Sequence, residues 1–95
     1  MVYFIAAICF DKENDKDGYF DYVELVKPIV EKYQGRYIVR SEKITAWNKE
    51  WNPDRVIIIE FASREQLEAC FSSDEYRKIA PLREDAVTSR AIIVE

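Results

Sequence analysis

VYFIAAICF, Val2 to Phe10, and RVIIIEF, Arg55 to Phe61, are apolar at odd and even positions alike and rich in β-branched and aromatic residues. Runs of this length and composition read as strands, and a strand that does not alternate has both of its faces out of water. A sheet with one wet face alternates apolar with polar; these two do not, so they belong at the centre of a sheet covered on both sides.

Outward from the first strand, Asp11 to Gly18 is a charged loop, and Tyr19, Tyr22, Val23, Val26, Ile29, Val30 and Tyr33 then recur at helical spacing. Pro28 falls inside that helix, where it removes one donor and predicts a kink, and Gly35 marks the helix end. Arg36 to Trp47 alternates as a strand. Asn48 to Asp54 carries turn signals and joins it to Arg55 to Phe61 as a hairpin whose loop holds Trp47 and Trp51. Ser63 caps a helix using Leu67, Cys70 and Phe71, Asp74 caps a further turn with Tyr76 and Ile79 before Pro81, and Ala91 to Val94 is a last strand. The order βαββαβ is the α+β ferredoxin-like arrangement, a four-stranded antiparallel sheet with both helices on one face. Its helices cover one face only, so a second copy of the chain is the economical cover for the other, and the expected state is a homodimer.

The 95 residues make one domain, 1–95, with a formal net charge of -4. That balance lacks the basic face a nucleic-acid binder uses to displace counterions, so no nucleic-acid partner is expected. The apolar N-terminus has neither the basic start nor the cleavage site of a signal peptide and is too short to span a bilayer, which points to a cytoplasmic protein with no membrane partner. Cys9 and Cys70 read as buried free thiols, and the chain has no histidine. Without one, nucleophilic hydrolysis at cysteine or serine and zinc binding lose their usual groups, and neither a metal nor another cofactor is assigned.

Three stretches resemble a known family: KPIVEKYQGRYIVR at Lys27 to Arg40, PDRVIIIEF at Pro53 to Phe61, and SDEYRKIAPLR at Ser73 to Arg83. They are similar to the small bacterial proteins of the domain of unknown function 1330 family, within the dimeric α/β-barrel superfamily. The resemblance covers almost the whole chain and implies a homodimer whose sheets form a barrel-like interior; it implies no agreed reaction. Gln34 stands where the family usually has glycine and Asp74 where it usually has proline. Gly35 is expected to take the left-handed conformation that ends the helix.

Glu60 is the most unusual residue, a carboxylate in an apolar strand, where an unpaired charge is costly. Arg36 and Arg40 share one parity of the preceding strand, and either can face it. On the functional reading, Glu60 accepts a proton or hydrogen bond in a small-molecule pocket at the sheet face, beside Arg55 as the second catalytic candidate, while Arg40, Arg36 and Arg83 hold an anion. Tyr37, Tyr76 and Arg83, held by the family motif, are candidates for the pocket rim. The plainer reading makes Glu60 half of an ion pair that fixes register or the dimer, and makes the tyrosines core. Ser89 and Arg90 carry less weight.

Glu13 to Glu24, ENDKDGYFDYVE, nearly fits a calcium-loop spacing with Gly18 at the turn, but a strand precedes it where an EF-hand needs a helix. A solvated acidic loop running into a helix start is the plainer account. Three function classes follow: a cofactor-independent small-molecule enzyme using the dimer interior, a non-catalytic binder of a small ligand, anionic if the arginines hold it, at the same place, and a structural or interaction dimer with a filled interior.

Overall fold

The computed structural model describes residues 1–10, 17–48 and 50–95. Strand β1, Val2–Phe10, leads into helix α1, Asp17–Lys32; β2, Arg36–Ser41, and β3, Arg55–Phe61, form the hairpin; α2, Arg64–Ser72, and α3, Asp74–Glu84, lead to β4, Val87–Val94. The strands form one antiparallel sheet in the order β2-β3-β1-β4, so the two non-alternating strands are the central ones. This is the α+β ferredoxin-like arrangement, with its second helical segment broken into two. No helix among the described residues is long and apolar enough to cross a membrane.

Side chains alternate across a strand, so the register assigns each to a face. Val2, Phe4, Ala6, Ile8 and Phe10 of β1 and Arg55, Ile57, Ile59 and Phe61 of β3 lie under the helices, and most join Tyr19, Tyr22, Val26, Val30, Leu67, Cys70 and Tyr76 in the core. Tyr19, Phe61 and Val30 are wholly buried, each contributing about 1.5–3 kcal/mol by removal from water. The opposite face carries Tyr3, Ile5, Val56, Ile58, Val39, Ile92 and Val94, and on a single chain Ile92 remains 60% exposed.

Four expectations are corrected. Strand β2 ends at Ser41 rather than Trp47, because the register breaks between Tyr37 and Val39: Ile38 is an extra, bulged residue, and the strand leaves the sheet soon after. Helix α3 runs through Pro81 to Glu84 instead of stopping before it, at the cost of one backbone donor. Its N-cap is Ser73, not Asp74: the Ser73 hydroxyl accepts from the Tyr76 N–H at 3.2 Å while donating to the Cys70 carbonyl at 2.7 Å, so one side chain closes α2 and opens α3. The left-handed residue after α1 is Gln34, with φ 64°, rather than Gly35.

Gly35 is required for a different reason. A Cβ there would lie 2.6 Å from Val30 Cγ1 and 2.8 Å from Phe61 Cε1, both on side chains with no room to retreat. The two neighbours therefore predict opposite signs. Gly35→Ala overpacks the core and lowers the urea-unfolding free energy by about 1–3 kcal/mol. Gln34→Gly relieves a left-handed side chain; it raises stability by about 0.5 kcal/mol, net of the unfolded-state entropy that glycine adds and of the hydrogen bond that the Gln34 Oε1 accepts from Gln66 Nε2.

Candidate functional site

A cavity of 160 Å³ lies between the helix-covered face of the sheet and the helices. Phe4, Ala6 and Ile8 of β1, with Ile57 and Ile59 of β3, make its apolar floor; Tyr22 and Val26 of α1, Phe71 of α2 and Tyr76 of α3 close it. Arg40, Arg55 and Arg83 are among its lining residues, and no carboxylate lines it among the described residues.

Arg55 opens β3 on the covered face and is 8% exposed. Its guanidinium lies 5.7 Å from the centre of the Tyr19 ring, its Nη1 is 3.8 Å from Glu42 at the rim, and its buried Nε has no partner. Arg83, in the last turn of α3, donates from Nη1 to the Ser89 hydroxyl and stands 6.0 Å from the Tyr22 ring, and its Nε is also buried without a partner. Arg40 is exposed at the mouth, 5.6 Å from the Tyr37 ring. A buried donor left unpaired costs about 1–3 kcal/mol, and two of the cations that line this cavity each carry one among the described residues.

The tyrosines supply hydroxyls rather than bases. Those of Tyr22 and Tyr76 are 3.0 Å apart in the buried wall. Burial, with Tyr76 alongside, pushes the Tyr22 phenol well above its ordinary range. Burial also pushes Tyr37 up to about 12, against the lowering influence of Arg40. Burial raises Tyr19 too, with Arg55 opposing it, and the Tyr19 hydroxyl is buried without a partner. Around neutral pH these phenols stay protonated, and the lining offers donors and positive charge but no strong base. Cys70, close under Tyr37, is likewise pushed up to about 11 by burial, so its thiol is not a nucleophile at neutral pH.

The sheet separates the residues expected to act together. Arg40, Arg55, Tyr37, Tyr76 and Arg83 meet at the cavity; Glu60 and Arg36 do not. Glu60 stands directly across from Arg36 and beside Tyr3 on the opposite face, with its carboxylate 3.6 Å from the Arg36 guanidinium. The shared parity of Arg36 and Arg40 is lost at the Ile38 bulge, which turns Arg40 to the covered face and leaves Arg36 on the other. Glu60 and Arg55 therefore leave β3 on opposite faces of the sheet. Tyr22 and Ser89 are the lining residues that the sequence under-weighted: Tyr22 sits on the apolar stripe of its helix, where a pocket tyrosine and a core tyrosine have the same spacing.

Arg90 pairs with Ala7 on the uncovered face, and Trp47, 97% exposed, and Trp51 lie in the hairpin loop away from the cavity. Cys9 and Cys70 are free thiols, Cys70 buried and Cys9 half-buried. Of the calcium stretch, Glu13 and Asp15 lie outside the described residues. Asp17, Gly18, Asp21 and Glu24 belong to helix α1, where Gly18 is helical rather than at the turn of a loop.

Residues 1–95 match the family described as Domain of unknown function (DUF1330). No curated protein matches the chain by sequence. Among solved structures, the chain is similar to the RPA0582 protein of unknown function from Rhodopseudomonas palustris, with 18% identity, a TM-score of 0.83, and coverage of 98% of this chain and 79% of that one. A dimeric ferredoxin-like protein of unknown function from Jannaschia sp. is 9% identical, with a TM-score of 0.74 over 99% of this chain and 97% of its own. SnoaB, a cofactor-independent oxygenase from Streptomyces nogalater, is 8% identical, with a TM-score of 0.70 over 99% of this chain and 90% of its own. At these identities the likeness is one of fold.

The raised phenols make the protein alkali-sensitive. Tyr37 ionises near 10 when unfolded and near 12 when folded, so the unfolded state loses its proton first and stability is lost as pH rises from 10 to 12. Urea-unfolding free energy is expected to hold through the neutral range up to pH 9 and then fall, Tyr37 accounting for about 1–2 kcal/mol of the loss. Tyr37→Phe should make the decline shallower.

Proposed function

The chain belongs to the DUF1330 family, and from that premise we propose that it is a single ferredoxin-like domain that works as a homodimer and binds a compact, partly apolar anion in the cavity of each copy. The observation that supports this reading is the pair of cationic side chains, Arg55 and Arg83, which line a cavity with no lining carboxylate among the described residues and each keep a buried Nε without a partner among them. A carboxylate on a flat apolar body matches that lining: two oxygens for the guanidinium donors, and an aromatic or aliphatic surface against Ile57, Ile59 and Phe4. The overall charge of -4 makes this local concentration of positive charge more telling. Arg40 at the mouth and Tyr37 beneath it fit an entry that draws anions inward. The two free thiols are consistent with a reducing, cytoplasmic setting.

Cofactor-independent catalysis is a second reading of the same place. Guanidinium groups in a dry cavity stabilise an enolate or phenolate that forms in a reaction. The fold similarity to SnoaB lends this reading some support, but a substrate would have to arrive already acidic, since the lining has no carboxylate among the described residues and the chain has no histidine. Binding is therefore the first reading.

The homodimer rests on the uncovered sheet face, where Ile5, Val39, Val56, Ile58, Ile92 and Val94 form one apolar surface. On it, Glu60 and Arg36 are a paired charge suited to fixing the register of two copies rather than to chemistry. Sedimentation equilibrium at micromolar concentration should give a dimer, and Ile58→Arg should give a monomer. A wild-type monomer would remove this part of the proposal.

Benzoate, titrated calorimetrically into the protein at neutral pH, should bind with one site per chain, and benzyl alcohol at least tenfold more weakly. Arg83→Met and Arg55→Met, which keep volume while removing charge, should each weaken benzoate binding tenfold or more. Glu60→Gln should leave it unchanged. Binding lost in Glu60→Gln but retained in both arginine variants would contradict the assignment.

A further inference from the structure

At 160 Å³ the cavity holds roughly a benzene-sized body and falls short of the volume most ligand sites enclose. It is not isolated. An open apolar groove of 620 Å³ runs along the outside between α2 and β4, lined by Leu67, Glu68, Ser72 and Ile93 together with Phe4, Phe71, Tyr76 and Arg83. Those last four also line the cavity, so the partition between cavity and groove is one side chain thick.

The partition is built from rings. Phe4 and Phe71 have ring centres 4.5 Å apart, and Phe71 meets Tyr76 edge-on at 5.0 Å. Phe71 is only half-buried, with the groove on its outer side, and stands two residues before Ser73, where the helical segment breaks. Its ring can turn into the groove by a side-chain rotation without disturbing the sheet. Charge gives the whole path a polarity. Arg55 lies on the cavity alone and Arg83 where cavity and groove meet, so the positive charge sits at the inner half of the path; the acid on the groove, Glu68, is engaged by Arg64 at 3.0 Å.

We infer that cavity and groove are two halves of one site, and that its ligand is an elongated monoanion: a carboxylate head on Arg55 and Arg83, with an unbranched or aryl-alkyl tail passing the Phe4–Phe71 partition to lie against Leu67 and Ile93. This rests on the anion reading of the cavity and adds the length and shape of the ligand to it.

Butanoate, hexanoate, octanoate and decanoate titrated calorimetrically into the full chain, below their micelle concentrations, separate the two ideas. With one acid bound per chain, the dissociation constant should keep falling through octanoate, by about threefold to fourfold for each added methylene. Ile93→Gln, in the groove and outside the cavity, should weaken octanoate binding several-fold and leave butanoate unchanged. A dissociation constant that stops falling after hexanoate, or an Ile93→Gln variant that treats octanoate as the wild type does, overturns the inference while leaving the cavity reading intact. Failure of every acid to bind, or equal binding by Arg55→Met and wild type, overturns both.

Discussion

Everything in this molecule hangs on the cross-strand pairing of β1 with β3, Val2 opposite Phe61 through Ile8 opposite Arg55. Because successive side chains leave a strand on opposite sides, that single register decides which residues see helices and which do not. Shifted by one residue, Arg55, Ile57 and Ile59 would exchange places with Val56, Ile58 and Glu60, and the cavity would lose its buried cation and gain a carboxylate. The site depends on register more than on any one contact. Two hydrogen bonds pin the end where a slip would begin: Asp54 accepts from the Phe10 N–H at 2.7 Å, and its own N–H donates to the Ile8 carbonyl at 2.8 Å.

The two sides of this sheet meet different physical demands. The helix-covered side is closed by aromatic rings and holds its polar atoms at high desolvation cost, which is why its tyrosines resist ionisation and its arginine donors favour an acceptor. The uncovered side is largely apolar, with Arg90 on β4 and one charge pair, Arg36 and Glu60, 75% and 16% exposed at their side chains. An ion pair that open adds little to a lone chain. It is suited instead to a face that another surface covers, where a displaced partner would leave a carboxylate unpaired.

Much of the architecture was legible in the sequence because it rests on hydrophobic pattern. The absence of alternation in VYFIAAICF and VIIIEF placed both strands at the centre, and the helical stripe of α1 named its buried residues Tyr19, Tyr22, Val26 and Val30. What escaped depends on single-residue events that pattern does not encode. The Ile38 bulge separated Arg36 from Arg40, and the left-handed turn fell on Gln34 because Gly35 is needed for contact with Val30 and Phe61. Glu60 drew attention as the odd charge in an apolar strand, but parity puts it on the far side from the cavity. Arg55, five residues away along β3 and so on the other face, carries the buried cation instead.

The most direct test of a two-faced sheet is a crystal structure of the protein grown with benzoate. The account predicts the carboxylate within hydrogen-bonding distance of Arg55 and Arg83, under the helices, with Ile58 and Ile92 on the other face buried against a second copy. Benzoate seated instead beside Arg36 and Glu60, or a cavity left without ligand while the protein binds benzoate elsewhere, would contradict it.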